Sequence, residues 1–154
     1  MAGFAAKAEA QKGRMKQEME KAMRLSCAQV RDSAKANAPR DTGEIARSIT
    51  YRVIQEGSTM IGRVYSLKDY AAYVEFGTGP EGRAHPHELA GSKGISYRPT
   101  GWVYPLPTAS NEAGGQQFRF TMGQPAKPFL YPAFKKHKKR IEDNLRAAVR
   151  RAVK

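Results

Sequence analysis

Cysteine is nearly missing from this chain: Cys27 stands alone, so no disulfide can close within it. Nucleophilic chemistry at that thiol would need a positioned base, and only three histidines occur. Its place in a helical pattern predicts a small, buried or half-buried side chain. Long apolar runs are also absent. Nothing approaches the eighteen consecutive apolar residues of a membrane span, and the first thirty residues carry no apolar stretch suited to export. The protein is therefore expected to stay in the cytoplasm of the cell that makes it. No Gly-rich loop ends in Lys-Ser or Lys-Thr, which argues against nucleotide hydrolysis. His85-Pro86-His87-Glu88 is the one cluster of metal-capable side chains, and without a third spaced ligand it reads as a solvated loop. Glu75 has no paired carboxylate and reads as a structural hydrogen-bonding or ion-pairing group. No nucleophile, base and oxyanion donor can be assembled, so no catalytic, cofactor or metal residues are assigned.

Acidic residues are scarce as well: 14 Asp and Glu face 27 Lys and Arg, for a net charge of +13. Residues 1–40 carry nine basic against four acidic side chains, residues 41–131 nine against eight, and residues 132–154 nine against two. The excess sits at the two ends. A length of 154 residues with 40% hydrophobic content predicts one domain over 1–154, with residues 1–14 as an arm and 79–117 as a long loop insertion.

Both basic ends read as helices. From about Ala5 to Ala36 no proline occurs, and Met15, Met19, Ala22, Ser26, Val30 and Ala34 recur at three- and four-residue steps. That face is narrow and modestly apolar, and it fades before Met15. After Pro132, which a first turn tolerates, Phe134, Ile141, Leu145, Ala148, Val149 and Ala152 are predicted to share a packing face. The outer surface then carries Lys135, Lys136, Lys138, Lys139, Arg140, Arg146, Arg150 and Arg151.

Between the helices the period changes. Pro39 ends the first helix, and Asp41 or Thr42 is placed to cap a short turn through Glu44 to Arg47, with Asp41 and Glu44 at the spacing of a capping box. Ser48 to Ile54 alternates as a strand, Glu56-Gly57-Ser58 reads as a turn, and Thr59 to Tyr65 follows as its antiparallel partner. Asp69 is placed to cap a short helix carrying Tyr70, Tyr73 and Val74, which Gly77 ends. Residues 79–117 are rich in Gly and Pro, so regular structure should be sparse there. Trp102-Val103-Tyr104 and Phe118-Arg119-Phe120 are expected as short strands extending the central sheet, with Trp102 and Tyr104 as candidate inter-subunit contacts. The expected class is α+β: a small antiparallel sheet packed by a long N-terminal helix and a basic C-terminal helix.

Three segments carry a resemblance. They are Ala36-Asn37-Ala38-Pro39-Arg40-Asp41-Thr42-Gly43 followed by Ser48-Ile49; Tyr70 through Tyr73-Val74-Glu75-Phe76-Gly77-Thr78; and Gly123 through Pro128-Phe129-Leu130-Tyr131-Pro132-Ala133. In order and spacing they resemble the neck and tail-completion family of long-tailed bacteriophages, often called gene-product-ten-like, over about residues 15 to 150. The resemblance implies a structural virion subunit of the head-to-tail junction, a neck or tail-completion or tail-terminator protein without a catalytic step. It implies a homo-oligomeric ring, hexameric or dodecameric, meeting other neck, connector or tail-tube proteins, with genomic duplex DNA in its channel. Taken as residues, the same words are folding punctuation: a capped turn, a glycine-ended helix, and an aromatic driven into the core ahead of a helix. Contact with DNA or an acidic partner is expected on the basic C-terminal helix. The alternative is a free, sequence-independent nucleic-acid-binding protein using both basic helices. Neither a helix-turn-helix spacing nor a zinc finger nor an RNA-binding aromatic signature supports that alternative.

Overall fold

The computed structural model describes residues 2–106 and 117–154. The elements, in order, are α1 (Ala2–Asn37), α2 (Glu44–Ser48), β1 (Ile49–Glu56), β2 (Thr59–Ser66), α3 (Ala71–Phe76), α4 (Gly79–Ala84), β3 (Trp102–Pro105), β4 (Phe118–Thr121) and α5 (Leu130–Val153). This is the α+β class expected, with two small antiparallel sheets rather than one. The chain divides into two compact units, residues 1–68 with 129–154, and residues 69–128.

The first unit is built on α1, which packs against α5 and against the β1–β2 hairpin. Three contacts fix α1 and α5 as antiparallel: Asn37 Nδ2 donates to the Phe129 carbonyl at 3.4 Å, Asn144 Nδ2 to Ser26 Oγ at 3.1 Å, and Arg151 Nε to Glu18 Oε2 at 2.7 Å. The buried side chains between them are mostly small, with Ala22, Ser26, Ala34, Ala133, Ala148 and Ala152 almost inaccessible. Small residues let two helices approach closely, so the pairing depends on dispersion over a tight contact more than on bulky apolar area. Phe129 is the exception. Its ring is wholly buried just ahead of α5, as the position before Pro132 predicted.

That register brings the last residue of α5 opposite about Met15. Residues 3–14 of α1 run on beyond it for about 20 Å at the helical rise, and all of them are exposed.

The hairpin pairs Ile49 with Ser66 through Glu56 with Thr59 in an unbroken antiparallel ladder. One face presents Ile49, Tyr51 and Val53. Opposite Val53 stands Gly62, and a Cβ there would lie 2.5 Å from Cys27 Sγ and 2.8 Å from Met23 Sδ. The missing side chain lets α1 lie directly on the strand. Cys27 is buried beneath this crossing, and burial pushes its thiol up. On the other face Arg52 stands directly opposite Arg63, an unfavourable like-charge pair that Arg63 relieves through Glu56 at 3.3 Å.

Several local expectations differ from what is observed. The Asp41–Glu44 capping box does not form: Gly43, at φ 68°, precedes α2, and the Glu44 amide donates instead to Thr42 Oγ1 at 3.4 Å. Asp69 does not cap α3, which starts after Tyr70 with no side-chain cap. Phe134 and Val149 do not join the packing face of α5 but are 49% and 41% exposed, because α5 has one helical neighbour and a single contact line covers only a narrow stripe. In the second unit, β3 and β4 do not extend the hairpin sheet. They pair with each other, Trp102 with Thr121 and Val103 with Phe120. The stretch expected to hold sparse regular structure contains α4 in addition to the strand expected at Trp102, while Gly114-Gly115 lies outside the described residues.

Candidate functional site

The second unit gathers two of the three sequence words. Thr78 and Gln124 form an isolated bridge, with the Thr78 amide donating to the Gln124 carbonyl at 2.9 Å and the Gln124 amide returning to Thr78 at 3.1 Å. The Lys127 amide donates to the Val74 carbonyl at 2.8 Å, and Gln124 Nε2 to the Tyr73 carbonyl at 3.1 Å. Residues 73–78 are therefore strapped to residues 123–127 through backbone bonds that no side-chain pattern announces. Gly77 makes the strap feasible. Its φ of 78° with ψ of 171° lies in a region essentially closed to other residues, and a Cβ there would come within 2.7 Å of the Ala126 nitrogen and 2.9 Å of the Gln124 carbonyl oxygen.

Glu75, at the centre of the second word, points inward. Its carboxylate oxygen Oε1 lies 3.4 Å from His87 Nε2, and both side chains are almost fully buried. His87 Nδ1 accepts the Leu89 amide proton at 2.9 Å, which leaves Nε2 as the nitrogen that carries the proton in a neutral ring, facing the carboxylate. The His87 ring also stacks at a tilt on Phe76, with centroids 4.7 Å apart. The histidine cluster is thus only half solvated: His85 is exposed, while His87 is an interior anchor for the loop. A histidine two residues from another and beside a proline gave no signal of this, since its partner Glu75 lies twelve residues back. Among the described residues no group of three or more His, Cys, Asp or Glu comes together.

Trp102 and Tyr104 are half-buried strand residues. Trp102 and Tyr73 border two adjoining open grooves of about 610 and 600 Å³. Arg98 lies over the Trp102 ring at 5.7 Å, and the Tyr97 hydroxyl donates to the Phe76 carbonyl at 2.9 Å, closing the loop back onto α3. Nearby, Val103, Phe118 and Phe120 leave an apolar strip of the β3–β4 ribbon exposed.

The first and third words also meet, but in the other unit. Pro39 follows the end of α1, where the Ala38 amide still bonds the Ala34 carbonyl at 3.0 Å. Arg47 returns to the Thr42 carbonyl at 3.0 Å, and Ser48 Oγ bonds both the Ile45 carbonyl and Ser66 Oγ. Ile49 is buried. Phe129 and Ala133 reach the same core, so the third word is divided: Pro128 closes the second unit and Phe129 opens the helix of the first.

Charge divides in the same way. The second unit holds five basic and five acidic residues, so the whole excess of +13 belongs to the first. Within it, four of the eight cations of α1 are answered along the helix: Lys12 by Glu9, Lys21 by Glu18, Arg24 by Glu20 and Arg31 by Asp32. Lys135, Lys136, Lys138, Lys139, Arg140, Arg146, Arg150 and Arg151 are all exposed. Arg151 pairs with Glu18 across the helices, and with Lys21 it holds the Glu18 carboxyl below its usual range. Lys135 lies over the Tyr131 ring at 5.7 Å. Lys136, Lys139, Arg146 and Arg150 form a stripe opposite the buried alanines and have no ion-pair partner among the described residues. Arg150 and Arg151 also fall where the carbonyl end of the helix favours positive charge.

What these features define is a small α+β protein: an antiparallel helix pair on a hairpin, with a basic stripe along one of the helices, and a neutral, aromatic-lined unit. Residues 2–77 match the family model described as "Bacteriophage HK97-gp10, putative tail-component". Over that stretch, just under half of the chain, the sequence is similar to the HK97-gp10-like family. No curated protein and no solved structure matches the chain. The match starts thirteen residues earlier than the resemblance read from the sequence words, so it includes the exposed start of α1. It takes in the first word and all of the second except Thr78, and the third lies outside it.

Proposed function

We propose that the protein is a structural virion subunit of the phage head-to-tail junction, a neck or tail-completion or tail-terminator ring component that joins a tail to a DNA-filled head. The observation that carries this reading is the family match over residues 2–77, taken with the resemblance of the third word, Pro128-Phe129 through Ala133, to the neck and tail-completion proteins. The subunits close a homo-oligomeric ring, which requires a heterologous interface, one face of each copy meeting a different face of the next. The uncovered start of α1 and the exposed strip of β3–β4 are two unlike faces available for such a contact. Genomic duplex DNA passes through the channel, and neighbouring neck, connector or tail-tube proteins meet the ring above and below. The role is one of assembly and involves no catalytic step.

Disrupting the gene in its parent phage and imaging the lysate by negative-stain electron microscopy tests this. Filled heads lying apart from tails of finished length, made infectious by added purified protein, are the expected result. Intact infectious particles in the disrupted lysate would overturn it.

A further inference from the structure

We infer that the outer face of α5 is a contact surface for the sugar-phosphate backbone of duplex DNA, one that holds the duplex weakly and reads no sequence. The inference rests on the junction reading for its setting but on the charge geometry for its substance. Lys136, Lys139, Arg146 and Arg150 lie along one line opposite the buried Ala133, Ala148 and Ala152. From the first to the last is fourteen helical steps, about 21 Å of helix, and that length of duplex axis carries about 12 phosphates at one charge per about 1.7 Å. Each of the four cations can therefore meet a phosphate without the duplex bending.

Three features favour phosphate over an acidic protein surface. Protein interfaces are anchored by apolar or aromatic side chains at their centre, and no such side chain stands on this line. Of the large apolar residues of α5 that are exposed, Phe134 and Val149 lie toward a flank of the helix, and Val153 stands beyond Arg150 at the end of the line, not at its centre. The helix has one side-chain amide, Asn144, and it is turned inward to Ser26, so no Asn or Gln remains on the outer face to make the bidentate contact to adenine. Glu142 and Asp143 interrupt the stripe between its two halves, which lowers its hold on a polyanion. A wall past which DNA must move needs that kind of contact: attractive enough to guide, too weak to arrest.

Duplex binding by the purified full-length chain tests this, measured by fluorescence anisotropy with two unrelated duplexes of equal length. The two duplexes should bind alike. The quadruple variant K136Q/K139Q/R146Q/R150Q should lose about 3.6 from the log–log salt slope, at about 0.9 per phosphate. Between about 50 and about 200 mM salt, wild-type affinity should then fall about 150-fold further than the variant's. A control of equal charge change, K12Q/K21Q/R24Q/R31Q, removes cations that α1 already pairs and should leave most of the slope. Should the first variant fail to fold by circular dichroism, K138Q/R140Q beside the stripe gives a smaller loss of the same kind. Absence of duplex binding at about 50 mM salt, or equal slopes for variant and control, would overturn the inference. The two readings separate cleanly. A wild-type protein that restores joined particles yet ignores duplex leaves the junction role standing and removes this surface from it, whereas duplex binding with intact particles in the disrupted lysate does the reverse.

Discussion

Phe129 and Phe134 stand five residues apart around the start of α5, and they differ in one respect, burial: Phe129 is 0% exposed and Phe134 49%. Replacing Phe129 with Ala removes a ring enclosed just ahead of α5, in a unit whose buried residues are mostly small and cannot swing in to fill the space. The expected cost is about 3–5 kcal/mol, combining lost transfer energy with the cavity left behind. Phe134→Ala takes away half-exposed surface and leaves no closed void, so it should cost about 1 kcal/mol. With a urea dependence of about 2 kcal/mol per molar, the Phe129 variant should unfold about 2 M earlier and the Phe134 variant about 0.5 M earlier. Far-ultraviolet circular dichroism is the suitable probe, because α1 and α5 supply most of the helix and the one tryptophan, Trp102, lies in the other unit. Equal shifts for the two variants, or a Phe129→Ala cost below about 1 kcal/mol, would show that the buried ring does not hold the helix pair together.

Other consequences can be measured separately. Gly77→Ala should cost about 2–3 kcal/mol or more, since the added Cβ meets backbone atoms of residues 124 and 126 in a conformation closed to alanine; Gly91→Ala, with open space around it, is the control, and Trp102 fluorescence during denaturation is the readout. Glu18 has its carboxyl held low by Arg151 and Lys21, so its contribution to stability is present above the ordinary carboxylate value and is lost as pH falls through the depressed one. Melting temperatures taken from about pH 6 downward should fall less steeply in Glu18→Gln than in wild type, and parallel curves would refute the pairing. Cys27 lies under the crossing of α1 and β2 with its thiol pushed up by burial, so alkylation at neutral pH should be slow in the native protein and fast in urea; labelling of native protein at the rate of a free thiol would contradict that placement.

Much of the fold could be read from the residues in order. A proline-free run with three- and four-residue spacing is a helix whatever lies beside it, and Asn37-Ala38-Pro39 stops it at the residue observed. Alternation from Ile49 and the Gly57 turn give the hairpin, because both signals are local. What failed was everything that depends on a partner distant in sequence. The capping box at Asp41 lost to a glycine already in the left-handed region, and His87 looked solvated because its carboxylate partner comes from another element. Phe134 and Val149 have the period of a packing face, yet one neighbouring helix covers only part of that face.

The candidate site divides along the same line. The basic character of α5 is a property of composition, and it was visible in the counts for residues 132–154. That four of α1's cations are paired along their own helix while the outer stripe of α5 is not could be learned only from the structure, in which Glu18 serves Lys21 locally and also reaches Arg151. The sequence by itself determined the helices, the hairpin, the three punctuation words and the charge, since each follows from backbone preferences acting over a few residues. It took the packed chain to show that the second word and the start of the third are strapped together by backbone bonds in a neutral unit, while the end of the third delivers Phe129 to the core of a basic one. Hydrogen bonds between main-chain groups leave no mark on side-chain pattern, and the net field of a surface depends on which charges are brought near enough to cancel.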